Sequence, residues 1–106
     1  MESTDPLLAE ISALLDAAEG HDDPERLERT LTDGYARALS LEGERWRLER
    51  EIGKLTTTVA RGDEASPREL AALLRALKRR DVDIGDLRDK LSHLRRRHSS
   101  AVRAPR

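Results

Sequence analysis

Between Leu27 and Val59 apolar or small residues recur at alternating steps of three and four, with no proline to interrupt them. Leu27, Leu31, Gly34, Ala38, Leu41, Arg45, Leu48, Ile52, Leu55 and Val59 mark this seam. A seam of more than four heptads is the signature of one long helix that buries a narrow stripe against another helix. Asp23 supplies a cap and Pro24 suits the first helical position, so the spacing predicts a helix over 24–61, roughly 57 Å long. Such an element needs an elongated hairpin or a second subunit to lie against.

The flanking segments supply that hairpin. Asp5 and Pro6 open a first helix, over about 6–19, whose Leu7, Leu8, Ile11, Leu14, Leu15 and Ala18 share a face, and Gly20 stops it. After the long helix, Gly62 is a natural C-terminal cap in the turn Arg61-Gly62-Asp63-Glu64-Ala65. Ser66-Pro67-Arg68-Glu69 then restarts a helix, with Ser66 and Glu69 forming a capping box. The seam resumes at Leu70, Leu73, Leu77, Arg80, Ile84, Leu87, Leu91 and Leu94, predicting a third helix over 67–98. Asp81-Val82-Asp83-Ile84-Gly85-Asp86 is poor helix material, and Asp83 or Asp86 could cap a new start. The heptad phase nevertheless survives across 81–85, which favours one helix with a weak point there. Residues 99–106 read as a disordered basic tail.

Composition agrees. The 106 residues include 17 Leu and 13 Ala against six Ile and Val, and straight side chains keep most of their rotamer freedom in helices. The expected fold is therefore all-α: a single domain over 1–98, an antiparallel, coiled-coil-like helical hairpin with a short N-terminal helix. Aromatics are only 2 % of the chain, so its core is thin and a homodimeric bundle is expected. The formal net charge of −1 conceals a split: residues 1–44 carry 12 acids and 3 bases, residues 45–106 carry 9 acids and 17 bases. Opposed charges of this kind favour association of the acidic part with the basic part, within or between subunits.

Signatures of chemistry are sparse. Cysteine is absent, which excludes a disulfide scaffold and thiol chemistry. No glycine-rich phosphate loop is present. His93 and His98 are five residues apart and do not share a helix face, so they are not a metal pair. Asp81, Asp83 and Asp86 lack the glycine and the terminal Glu of a calcium loop and read as helix punctuation. Arg61-Gly62-Asp63 reads as turn chemistry. No cofactor is implied, no apolar run could span a membrane, and the cytoplasm is the expected location.

Two groups of residues invite a partner. Tyr35, Leu39 and Trp46 lie off the seam, so an apolar stripe outside the hairpin requires cover by the first helix, a second subunit or another helical protein. Arg95, Arg96 and Arg97 form a basic run near the C terminus, suited to an electrostatic contact with a partner or to sequence-independent contact with nucleic acid phosphates. The second option lacks aromatics for base stacking. The leading reading is a non-catalytic protein–protein interaction, scaffold or adaptor module.

Arg45 and Arg80 stand on the seam where Leu or Ile belongs. A guanidinium there either pairs with Glu42, Glu49 or a carboxylate of the opposite helix, fixing register, or lines a site for an anion. In this second light the run Glu44-Arg45-Trp46-Arg47-Leu48-Glu49-Arg50-Glu51-Ile52-Gly53-Lys54-Leu55, followed by Arg68-Glu69, resembles the small all-helical chorismate mutases over about residues 31–95. The resemblance implies an intertwined helical dimer that isomerises a dicarboxylate without a cofactor. It assigns Arg45, Lys54, Arg68 and Glu69 to the site and makes 81–85 a true turn. Thr56 occupies the position of the family's ether-binding lysine, and Ala65 and Glu28 replace an acid and an arginine.

Overall fold

In a computed structural model, which describes residues 5–17, 22–62 and 67–103, the chain folds into three α-helices, with no strand among those residues. They are α1, Pro6–Asp16; α2, Pro24–Ala60; and α3, Pro67–Arg103. The starts obey local chemistry. Asp5 is extended (φ −81°, ψ 111°), and its Oδ1 accepts from the Leu7 amide at 3.0 Å. Asp23 repeats the device at α2: its Oδ1 accepts from the Glu25 amide at 3.1 Å, and its carbonyl accepts from Leu27 at 3.0 Å. In each case Pro occupies the position whose amide would otherwise have no acceptor. The capping residue expected for α3, Ser66, lies outside the described residues, as does the stop at Gly20.

The ends differ from the sequence expectations. α1 closes at Asp16 instead of residue 19; Ala17 turns extended and donates to the Ala13 carbonyl at 3.1 Å. α2 ends at Ala60, one residue short, and Gly62 follows at φ 79°, with its amide 3.0 Å from the Val59 carbonyl. That left-handed backbone suits glycine, as expected of a C-terminal cap. α3 is continuous through 81–85, so the weak point is not a break. It also runs five residues past His98, so residues 99–103 are helix where a tail is expected; 104–106 lie outside the described residues.

The chain divides into two compact units, Met1–Ala38 with Asp86–Arg106, and Leu39–Gly85. Both long helices contribute to each. The first unit holds three helical segments, and α1 places Ile11 and Leu14 in a buried core with Leu27, Leu31, Ala38, Leu87, Leu91 and Leu94. Gly34 lets α2 and α3 approach here: a Cβ at that position would run into Leu91 Cδ2 and sit 3.4 Å from Leu91 Cγ. Thr30 is buried too, its hydroxyl 3.4 Å from Glu10 Oε1, which also meets Arg26 Nε at 3.4 Å. Arg37 pairs with Asp5 at 3.5 Å. In the second unit α2 and α3 have no third helix. Leu48, Ile52, Leu55, Leu70, Leu73, Leu77 and Ile84 are only half-buried there, and Leu41 alone among its described apolar side chains is buried.

Candidate partner-binding surface

The second unit carries the chemistry that the sequence singled out. Arg45, on the α2 seam, has neighbours of opposite charge on two sides. Its Nε engages Asp81 Oδ1 of α3 and its Nη1 engages Glu49 Oε1, one turn on in α2. The bond to Asp81 raises the arginine's pKa still further above neutrality, against a smaller opposing effect of burial. Arg80 answers from α3, with Nε 3.4 Å from Glu44 Oε2 and Nη1 3.3 Å from Asp83 Oδ2. That Glu44 oxygen is shielded from solvent and accepts no hydrogen bond, so the guanidinium meets it as a counter-charge only. These crossed pairs explain why 81–85 stays helical: both aspartates of its poor helix sequence face an arginine.

A groove of about 400 Å³ opens beside Arg45, lined by Glu42, Arg45, Trp46, Glu49, Asp81 and Ile84. A second, of about 330 Å³, lies beside Arg80, between Glu44, Arg47, Leu48 and Glu51 of α2 and Ala76 of α3. Both are shallow and rich in carboxylates. The residues assigned by the mutase resemblance are otherwise placed apart: Lys54 is exposed on α2, nine residues beyond Arg45, and Arg68 and Glu69 are exposed in the first turn of α3.

Trp46 and Leu39 are the conspicuous apolar surface of this unit, 57 % and 67 % exposed. The Arg50 guanidinium stacks over the indole, 4.7 Å from the ring centroid. Leu39 precedes the buried Leu41 by two residues, about 200° round the helix, so Leu39 faces away from the seam, whereas Trp46 borders the Arg45 groove. Gly43 and Gly53 lie on the same stripe, and a Cβ at either would meet nothing within 4 Å. Arg47, Arg50 and Lys54 occupy this side as well, and none is in an ion pair among the described residues. Sequence reasoning caught the tryptophan and missed the glycines and the cationic row. The signal was present: Leu39, Gly43, Trp46, Arg50 and Gly53 repeat the steps of four and three that mark a second seam.

The other expected contacts belong to the first unit. Tyr35, Arg95 and Arg96 are exposed. Arg97 is not available to a partner. Its Nη2 donates to Asp22 Oδ1 and to the Ala17 carbonyl, each at 2.8 Å; its Nε reaches Asp22 Oδ2 at 3.0 Å and its Nη1 the Leu15 carbonyl at 3.1 Å. An arginine counted as part of a basic surface run is thus a structural clamp on the end of α1.

Among the described residues, no cluster of three or more His, Cys, Asp or Glu is placed to hold a metal ion, and no helix is long and apolar enough to cross a membrane. No protein-family model, curated protein or solved structure matches the chain.

Proposed function

We propose that this protein is a non-catalytic helical interaction module, an antiparallel coiled-coil-like hairpin whose Leu39–Gly85 unit is completed by another helical surface. The observation that carries this reading is the burial pattern of that unit: a seam of seven Leu and Ile side chains stays half-buried while Leu39 and Trp46 stand in solvent. Apolar side chains so disposed gain about 25 cal/mol for each Å² a partner removes from water. The groove linings support the antiparallel arrangement, since Glu42 and Trp46 of α2 share a groove with Ile84, while Arg47 and Glu51 share one with Ala76.

The electrostatics favour binding over turnover of a dicarboxylate. Any anion approaching Arg45 has to displace both Asp81 and Glu49, and it meets Glu42 on the groove wall. A photo-crosslinking residue placed at Leu39 or Val82, both exposed in this unit, should join the full-length chain to a polypeptide in its native cells. The same residue at Arg103 should do so far less. Absence of any crosslinked polypeptide, together with isomerisation of chorismate that is lost in Arg45→Ala, would overturn the reading in favour of the mutase-like one.

A further inference from the structure

We infer that the outward face of α3 in the Leu39–Gly85 unit docks an acidic amphipathic helix of another polypeptide. Arg75, Lys78 and Arg79 receive its carboxylates, and Leu74 and Val82 receive its apolar side chains. This deepens the interaction reading and rests on it, naming the chemistry of the partner.

The charges of this unit are sorted by position. Arg75 and Arg79 stand two residues either side of the seam residue Leu77, about 200° round the helix, on the back of α3. Lys78 lies between Leu74 and Val82, which are 48 % and 63 % exposed. All three cations are exposed and enter no ion pair among the described residues. From Leu70 to Val82 the one carboxylate is Asp81, and it pairs with Arg45. Asp83 pairs with Arg80, and Glu42, Glu44, Glu49 and Glu51 of α2 line the grooves beside the seam. Arg68 adds a further exposed cation in the first turn, next to Glu69; Asp63 and Glu64, before it, lie outside the described residues. Beyond Val82, Asp86 and Asp89 belong to the other unit and pair with Lys90 and His93, so the cationic stretch ends there. Like charges three and four residues apart, as Lys78 and Arg79 are from Arg75, oppose the helix they sit on, and a bound anion relieves them.

The apolar residues in this row decide between polyanions. Leu74 and Val82 are eight residues apart on one side of the helix, about 12 Å, which matches the spacing of apolar side chains on a facing helix. A sugar–phosphate backbone leaves both in water, and no aromatic side chain stands on this face to stack a base. A membrane surface calls for a broad apolar face, whereas a lysine separates these two and arginines flank them. The first unit holds the chain's own example of such an occupant. Residues 5–17 contain Asp5, Glu10 and Asp16 and no base; they bury Ile11 and Leu14 and pair Glu10 with Arg26 and Asp5 with Arg37 of α2.

The test uses the full chain and a labelled synthetic helix of three heptads, with Leu at a and d and Glu at e and g, read by fluorescence anisotropy. It should bind saturably and more weakly as salt rises, and the same peptide with Lys in place of Glu should not bind. Arg75→Glu with Arg79→Glu should weaken binding at least about tenfold. Leu74→Ser with Val82→Ser changes no charge and should weaken it at least about threefold. Arg50→Glu with Lys54→Glu makes an equal charge change on α2 and should alter it by less than about twofold. All these positions are exposed, so helicity by circular dichroism should be unchanged. No binding of the acidic peptide, an equal loss in the α2 variant, or indifference to the Leu74 and Val82 changes would each overturn the proposal. Tighter binding, through the same arginines, to a labelled DNA duplex or to phosphatidylserine vesicles would overturn it as well. If the acidic peptide fails to bind while Leu39 still crosslinks to a polypeptide, this proposal falls and the broader interaction reading stands.

Discussion

Arg97 and Asp22 form a two-point pair, Nε to Oδ2 at 3.0 Å and Nη2 to Oδ1 at 2.8 Å, with both side chains about nine-tenths buried. The same guanidinium fills the Leu15 and Ala17 carbonyls at the end of α1. One planar fork therefore serves two carbonyls at the C-terminal end of α1 and ties that end to α3 in the first unit. Arg97→Ala removes these donors from a shielded carboxylate and two carbonyls, so it should cost about 3 kcal/mol in urea unfolding. Arg97→Lys should recover little of that loss, because an ammonium cannot span the carboxylate and both carbonyls. If lysine restores wild-type stability, the fork geometry is not what holds α1.

The two units should differ in how much a lost methyl group matters. Leu91 is buried, as are Leu31, Leu87 and Leu94 of the same unit, and Leu91→Ala should cost about 3 kcal/mol. Leu73, on the same helix and the same seam, is half-exposed to water, and Leu73→Ala should cost about 1 kcal/mol under dissociating conditions. Amide exchange provides an independent check: amides around Leu87–Leu94 should exchange more slowly than those around Leu70–Leu77. Equal protection of the two stretches at concentrations where the chain is monomeric would contradict this gradient.

Helix starts were legible in the sequence because a cap and a proline act within two or three residues, as at Asp5-Pro6 and Asp23-Pro24. Helix ends were less so, because distant residues decide them. α1 stops where Arg97, some 80 residues on, supplies donors. Asp81 and Asp83 remain helical because Arg45 and Arg80 neutralise them, a fact about pairing across helices that a local scale cannot hold. The seam arginines pair along and across the helices, Arg45 with Glu49 and Asp81, Arg80 with Glu44 and Asp83. The same long-range logic turned Arg97 from an apparent surface charge into a clamp.

The Arg45–Asp81 pair should contribute specificity of alignment more than stability, since both side chains are more than 40 % exposed. Asp81→Asn should lower the thermal midpoint only slightly, and by less in high salt than in low salt. Reversing the pair with Arg45→Asp and Asp81→Arg should recover most of what either reversal alone loses. A double variant no better than the sum of the singles would show that the two groups are not coupled.

The glycines of α2 separate packing from propensity. In an isolated helix each Gly→Ala change stabilises by about 1 kcal/mol. At Gly34 the added methyl strikes Leu91, whose side chain is locked in the core, so Gly34→Ala should destabilise on balance. Combining it with Leu91→Ala should cost less than the sum, because the smaller side chain makes room. Gly53→Ala and Gly85→Ala, both facing open space, should raise the thermal midpoint. Gly43→Ala, where an added Cβ also meets nothing within 4 Å, should do the same. A lowered thermal midpoint in any of these three variants would show that helix propensity does not govern the open positions.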